Sequence, residues 1–289
     1  MGAPDGLARC SLLLLLVARM NGRTSNRSAA ALVSERNLVR VSGVELEIER
    51  RGRGRPLLVL YGEEALELDA AVLAELARDH ELIIPSPPGF GRSERPDWIE
   101  SPDDIGYIYL DLMERLNVGK VPAIGFSFGG WLALEMATKH DGCFSKLVLV
   151  DPYGVKIGGP VDRDIEDVWN IHPERVAKLK WFDGEKGKRD FTAMPERELA
   201  IIARNNESFA RFCWDPCMHN PKLARRLHRV RVPTLFVWGA NDGIVSPDYG
   251  RAYSRMIAGA EFSVIGKAGH YPHLEQPDEF MRLVRGFLE

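Results

Sequence analysis

The pentapeptide Gly125-Phe-Ser-Phe-Gly129 places a potential nucleophile, Ser127, between two glycines. It follows the apolar run 121–124 and precedes a helical pattern that starts at residue 130. A strand, a Gly-x-Ser-x-Gly turn and a helix in this order form a nucleophile elbow, a tight turn that exposes the serine hydroxyl at the end of a strand. The pentapeptide alone also fits an ordinary Gly/Ser turn, but this position in the chain predicts a catalytic serine.

A serine hydroxyl needs a base within hydrogen-bonding reach, and that base needs a group that orients it. Asp242 and His270 follow Ser127 in the order found in elbow-type hydrolases, and each comes directly after a predicted strand. Loops at the carboxyl ends of strands are where α/β sheets place their sites. We therefore expect Asp242 to accept a hydrogen bond from one imidazole nitrogen of His270, while the other nitrogen faces Ser127.

Three nearby residues compete for these roles. Asp151 also ends a predicted strand and could be the carboxylate that orients the histidine. Asp151-Pro152 is, however, equally typical of an ordinary turn or the start of a helix. Asn241 lacks the charge that stabilises an imidazolium. His273 is expected to be a loop histidine packed near the inserted segment described next. Asp242 and His270 remain the preferred pair.

The surrounding pattern alternates strands and helices, which predicts a mostly parallel sheet covered on both faces. From residue 153 to residue 221 the alternation stops, and tryptophan and phenylalanine residues are scattered among charged helical segments. This segment is predicted to be an inserted helical cap. Residues 36–152 and 222–289 would then form the core.

Composition narrows the class of protein. The 289 residues are 45% hydrophobic and 27% charged, as in soluble globular proteins, and the net charge of −3 gives no indication of nucleic-acid binding. The four cysteines have no metal-ligand spacing, so we expect free thiols, no metal site and a cytoplasmic location. The assembly is expected to be a monomer or a homodimer.

Residues 1–35 are predicted to be a poorly ordered extension. Its aliphatic run 12–17 is too short to span a bilayer, so no stable membrane span is expected. The run resembles a short signal-peptide core, which would make the protein secreted or periplasmic. A translation start at Met20 is a further alternative.

Over residues 38–289 the chain resembles the α/β-hydrolase fold superfamily, in its lid-bearing branch of esterases and lipases. The resemblance rests on four motifs that occur in the order typical of that family. They are Gly125-Phe-Ser-Phe-Gly-Gly130, Pro88-Gly-Phe-Gly-Arg-Ser93, Trp238-Gly-Ala-Asn-Asp242 and Gly269-His-Tyr-Pro-His-Leu-Glu-Gln-Pro277. The resemblance implies an eight-stranded, mostly parallel sheet flanked by helices, a Ser-His-Asp triad and no cofactor. It also implies that residues 88–93 brace the active-site loops.

The resemblance further implies an oxyanion hole made of two backbone N–H groups, those of Phe128 and Glu63. Tyr61 stands where the family usually has histidine. Glu63 and Glu64 bring carboxylates close to the place where negative charge would develop, and the sequence leaves their orientation open.

The leading expectation for function is hydrolysis of a small ester or lactone through an acyl-enzyme, with an apolar or aromatic substrate pocket under the cap. Carbon–carbon bond hydrolysis of meta-cleavage-type dienoates is one alternative. Relatives with that activity usually carry tryptophan just after the catalytic histidine, where this chain has Tyr271-Pro272. A receptor-like protein with low turnover is another. Epoxide hydrolases and haloalkane dehalogenases are disfavoured because their nucleophile is an aspartate.

Overall fold

A computed structural model of the chain describes residues 34–62, 70–159 and 161–289. Across these ranges eight strands form one sheet in the order β1-β2-β4-β3-β5-β6-β7-β8. The strands are β1 Ser34–Val41, β2 Val44–Arg51, β3 Arg55–Leu60, β4 His80–Pro85, β5 Val121–Phe126, β6 Phe144–Val150, β7 Thr234–Gly239 and β8 Glu261–Ile265. Only β2 runs against its neighbours, so the predicted eight-stranded, mostly parallel sheet is confirmed.

Helices cover both faces of the sheet. Alternate residues of a strand point to opposite faces, and in β3 Leu58 and Leu60 join one apolar cluster while Leu57 and Val59 join another. The described helices are α1 Ala70–Leu76, α2 Pro102–Arg115, α3 Phe128–Lys139, α4 Pro173–Lys180, α5 Glu196–Cys213, α6 Pro247–Ser254, α7 Pro272–Glu275 and α8 Pro277–Leu288. The first cluster packs under α2, α3 and α6, and the second under α1 and α8.

Strand β1 is the element that the sequence pattern missed. It begins at Ser34, two residues inside the segment 1–35 that was predicted to be an extension, whose other residues lie outside the described ranges. Most of its side chains are exposed, so it lacks the apolar alternation that marks a half-buried strand. Its position comes instead from antiparallel pairing with β2 and from the Ser34 hydroxyl, which donates to Glu49 at 2.7 Å.

Between β6 and β7, the described part of residues 153–221 contains α4 and α5 and no strand. Helix α5 docks on the loop after β4. Arg204 donates from Nε to the carbonyl of Gly89 at 3.0 Å and from Nη2 to that of Ser93 at 2.6 Å, and the Ser208 hydroxyl donates to Gly89 at 2.8 Å. These bonds fix the glycine-rich loop at the edge where the parallel strands end.

No helix within the described ranges combines the length and apolar character needed to cross a membrane.

Candidate active site

Ser127 lies in the sharp turn between β5 and α3. Its backbone has φ of 50° and ψ of −115°, a strained conformation for a residue other than glycine. Its N–H donates to the carbonyl of Val150 at 2.8 Å. The turn requires small neighbours, since a Cβ on Gly129 would lie 2.2 Å from the Leu60 carbonyl oxygen. The elbow predicted from the sequence is therefore the local geometry of the chain.

His270 brings the three predicted residues together. Its Nε2 lies 2.8 Å from the Ser127 hydroxyl oxygen, and its Nδ1 lies 2.7 Å from Oδ2 of Asp242. Because an ionised carboxylate only accepts hydrogen bonds, Nδ1 carries the proton and Nε2 accepts from the serine hydroxyl. The His270 side chain is buried, and its backbone N–H donates to the carbonyl of Lys180 at 2.7 Å.

Asp242 is held by the turn that follows β7. Its Oδ1 accepts the backbone N–H groups of Ile244 at 2.8 Å and Val245 at 3.1 Å, which leaves Oδ2 for His270. Because both carboxylate oxygens accept hydrogen bonds, the orientation of the carboxylate plane is fixed, and this in turn fixes the orientation of the imidazole ring of His270. The arrangement can accept a proton from Ser127 and stabilise the imidazolium that results.

Asp151, the alternative acid, is also at this site but does not hydrogen-bond to His270. It follows β6, is buried with no solvent exposure, and accepts the N–H of Gly239 at 3.0 Å through Oδ1. Burial first, and then the Asp242 charge, raise the pKa of Asp151 well above its ordinary value. Asp151, Asp242 and His270 each have a side-chain atom of a kind that can bind a metal ion, and these atoms lie within 4.8 Å of one another. His270 and Asp242, however, already use such atoms in the hydrogen bond between them.

The oxyanion-hole prediction is described in part. Phe128 is the first residue of α3, so its N–H has no partner inside the helix. A Cβ built on Gly62 would lie 3.5 Å from that nitrogen and 3.2 Å from Cβ of Ser127, so the loop after β3 passes beside the elbow. Tyr61 packs its ring on Phe126, with centroids 5.7 Å apart. Glu63 and Glu64 lie outside the described residues, so the second donor stays a prediction.

The position of the His273 side chain differs from the prediction. It was expected near the inserted segment, but it is buried in the core, 4.4 Å from the Phe126 ring and 5.7 Å from the Phe280 ring, centroid to centroid. Its position follows from the short helix α7, which turns His273 inward beneath the elbow.

Two residues that contact the histidine or its loop were not singled out from the sequence. The Tyr153 ring stacks on the His270 imidazole with centroids 5.1 Å apart. Glu275 accepts the backbone N–H groups of Gly269, Phe182 and Asp183 at 2.6, 3.2 and 2.7 Å. The motif that contains Glu275 was visible in the sequence, but nothing in the pattern indicated which N–H groups it would accept.

A cavity of about 320 Å³ lies beside the elbow, with Gly62 in its wall. Three arginines and one glutamate line it, and two of the arginines are neutralised by ion pairs with glutamates. Arg92 pairs with Glu47 at 2.6 Å, Arg36 pairs with Glu49 at 2.9 Å, and Arg197 lies exposed on α5. The described lining residues are Arg36, Glu47, Tyr61, Gly62, Ile84, Pro85, Ser86, Pro87, Phe90, Gly91, Arg92, Arg197, Ile201 and Asn205.

A family model, curated relatives and solved structures all relate this chain to α/β hydrolases. The model described as "Alpha/beta hydrolase family" matches residues 61–283. A 2-hydroxymuconate semialdehyde hydrolase from Pseudomonas sp. (strain CF600) is 27% identical over 86% of this chain and 91% of that protein. A meta-cleavage product hydrolase from Pseudomonas fluorescens IP01 superposes with a TM-score of 0.72 at 22% identity, covering 87% of this chain and 96% of that one. A thermophilic esterase from Thermogutta terrifontis gives 0.68 at 25% identity, covering 88% and 98%.

Proposed function

The chain belongs to the alpha/beta hydrolase family, and from this premise we propose that Ser127, His270 and Asp242 are its catalytic triad. The observation that carries the proposal is the pair of short hydrogen bonds through one imidazole, 2.8 Å to the serine and 2.7 Å to the aspartate. Asp242 holds the proton on Nδ1, so Nε2 takes the hydroxyl proton as Ser127 attacks a carbonyl carbon. The N–H of Phe128, together with the expected N–H of Glu63, would stabilise the oxyanion.

For the substrate, we propose a ketone that carries a carboxylate, of the 2-hydroxy-6-oxo-dienoate class named in two of the hydrolases that this chain resembles. In such a hydrolysis water supplies a hydroxyl group to the keto carbon, which leaves as a carboxylic acid, and a proton to the carbon released from it. Arg197, the exposed arginine in the lining of the cavity beside the elbow, supports this class, because a guanidinium group binds a carboxylate through charge-assisted hydrogen bonds. Here the second reading of the sequence is favoured over the first.

Hydrolysis of a small carboxylic ester or lactone is the second candidate. It is favoured by the likeness to the thermophilic esterase, and by Tyr271 at the place where carbon–carbon bond hydrolases usually carry tryptophan. Both candidates need the same triad, so they differ in the group that leaves the carbonyl carbon.

We also propose that residues 153–221 act as a lid over the triad, with residues 36–152 and 222–289 as the core. The lid proposal is supported by contacts of this segment with the site. Phe209 of α5 lies 5.5 Å from the Phe128 ring, and Lys180 at the end of α4 accepts the N–H of His270. An opening of this segment would alter the histidine loop as well as access to the site.

The test pairs a substrate comparison with removal of the nucleophile. Purified protein is assayed on a 2-hydroxy-6-oxo-dienoate and on a p-nitrophenyl ester, and is labelled with a fluorophosphonate. We expect Ser127→Ala to lower kcat by about 10⁶-fold and to abolish labelling, since the triad acts as a unit. Ser145→Ala on β6 is the matched control and should retain both.

The outcomes separate the candidates. A kcat/KM for the dienoate far above that for the ester supports carbon–carbon bond hydrolysis, and the reverse supports the esterase. Labelling that persists in Ser127→Ala would contradict the triad. Tight binding with negligible turnover of both substrates would favour the receptor-like alternative.

A further inference from the structure

Asp151 and Asp242 are two carboxyl groups in one place without solvent. Asp151 has no exposed surface and Asp242 is 5% exposed, and carboxyl oxygens of the two residues lie within 4.8 Å of each other. Two carboxylates that share a buried site cannot both be ionised at low cost, so one of the pair keeps a proton. The hydrogen bonds around the two groups indicate which one.

Asp242 has the environment of an ionised carboxylate. One oxygen accepts two backbone N–H groups, those of Ile244 and Val245, and the other accepts Nδ1–H of His270. Asp151 is different. Its Oδ1 accepts the N–H of Gly239, but its Oδ2 has no hydrogen-bonding partner among the described residues. A buried oxygen without a donor is costly as a carboxylate, yet it is satisfied as the hydroxyl of a carboxylic acid that faces an acceptor.

We propose that Asp151 carries a proton on Oδ2 at neutral pH and donates it in a hydrogen bond to the Asp242 carboxylate, which makes Asp151 a positioning residue for the triad acid. The site then has one negative charge, shared with the imidazole through Asp242. The proposal rests on this geometry and does not require a particular substrate.

The backbone around Asp151 suits such a role. It has φ of 43°, and its N–H donates to the carbonyl of Val237 at 3.1 Å while Oδ1 accepts from Gly239. Both contacts are to the end of β7, directly before the turn that carries Asp242. Asp151 therefore ties the end of β6 to the base of that turn. Burial and the Asp242 charge raise the pKa of Asp151, in agreement with the protonated form.

The decisive experiment is the pH dependence of folding in wild type and Asp151→Asn. Asparagine keeps an acceptor for Gly239 and a donor for Asp242, but it binds no titratable proton. If Asp151 is protonated in the folded state and ionised in the unfolded state, the folded state holds one more proton above about pH 4, the ordinary aspartate pKa. Wild-type stability then falls, relative to the variant, as pH rises toward the raised folded pKa.

We expect the ratio of the folding equilibrium constants, wild type over Asp151→Asn, to fall about tenfold per pH unit between about pH 5 and about pH 7. Denaturant unfolding at each pH measures it. Asp103→Asn is the control, because ion pairs with Lys139 and Arg226 outweigh burial and lower the pKa of Asp103. Its ratio should stay flat over the same range. A flat ratio for Asp151→Asn would overturn the proposal.

A second measurement requires no variant. The infrared spectrum of the wild type at neutral pH should contain the carbonyl stretch of a protonated carboxylic acid, which shifts on exchange into D₂O. Absence of that band would overturn the proposal even if Asp151→Asn did not fold.

Enzyme kinetics distinguish a positioning role of Asp151 from a role in packing alone. This kinetic test rests on the proposed function. Asp151→Asn should leave the acidic limb of the kcat/KM profile in place, since it replaces one neutral group by another. An ionised Asp151 would instead shift that limb by about one pH unit or more when its charge is removed. Asp151→Ala, which loses both hydrogen bonds, should lower kcat about tenfold. If the protein proves to lack hydrolase activity, the stability and infrared results still decide the protonation of Asp151.

Discussion

The ring of Tyr153 lies parallel to the imidazole of His270, with an interplanar angle of 11° and centroids 5.1 Å apart. Tyr153 is itself fixed, because it is fully buried and its carbonyl accepts the hydroxyl of Tyr253 at 3.1 Å. The imidazole is therefore constrained on its face by an aromatic ring and at its edge by Asp242. The base role that we propose for His270 needs this constraint, since small errors in the position of a reacting group are costly to the rate.

The stacked ring gives the first prediction. Tyr153→Leu should lower kcat about tenfold relative to Tyr153→Phe, because the phenylalanine keeps the ring against His270 and the leucine does not. Both variants lack the hydroxyl, so the comparison isolates the ring. Steady-state kinetics on the preferred substrate provide the measurement, and equal kcat values for the two variants would show that stacking does not matter.

The proximity of Ser127, Asp242 and His270 could be predicted from the sequence because each follows a strand with a recognisable apolar run. The hydrophobic strands fix the sheet, and a parallel sheet brings the loops after its strands to one edge. Short motifs at those loops therefore translate directly into neighbours in space. The same logic failed for β1, whose exposed side chains leave no period in the sequence.

Contacts made through single backbone groups could not be predicted. Glu275 accepts the N–H groups of Phe182 and Asp183, which lie 93 and 92 positions away along the chain. No spacing rule links such positions, since the pairing depends on how the segment after α4 folds back onto the histidine loop. The sequence pattern likewise predicts His273 near that segment, because it does not show that the short helix α7 directs this side chain into the core.

Glu275 is the subject of the second prediction. Its buried carboxylate accepts three backbone N–H groups and so ties the His270 loop to the end of α4. Glu275→Gln replaces one acceptor oxygen by a donor and removes the charge, which should cost about 2–3 kcal/mol of unfolding free energy. Denaturant unfolding measures the change. The exposed Glu185, paired with Lys188 at 2.6 Å, gives the control, since Glu185→Gln should change stability by less than about 0.5 kcal/mol.

Arg197 in the cavity beside the elbow gives the third prediction. Arg197 on α5 faces this cavity, so Arg197→Gln should raise KM for a carboxylate-bearing substrate about tenfold and leave KM for a neutral ester within about twofold. Arg175→Gln on α4, outside the cavity lining, is the matched control and should change neither value. A similar rise in KM for both substrates would argue against recognition of the carboxylate by this arginine.

The fourth prediction concerns two glycines, Gly129 and Gly286, at which substitution by alanine should change the stability in opposite directions. A methyl group on Gly129 would lie 2.2 Å from the Leu60 oxygen and 2.6 Å from the Tyr61 nitrogen, both of which are backbone atoms that cannot rotate away. Gly129→Ala must therefore move β3 away from α3, and we expect a loss of about 3 kcal/mol or more. Gly286 lies on the exposed side of α8, and apart from its chain neighbours and the backbone of its own helix no described heavy atom lies within 4 Å of an added Cβ. Gly286→Ala should instead raise the unfolding free energy by about 0.4–1 kcal/mol, because alanine has less conformational freedom to lose. Thermal and denaturant unfolding of the two variants test both signs, and a neutral Gly129→Ala would show that the elbow is looser than its geometry implies.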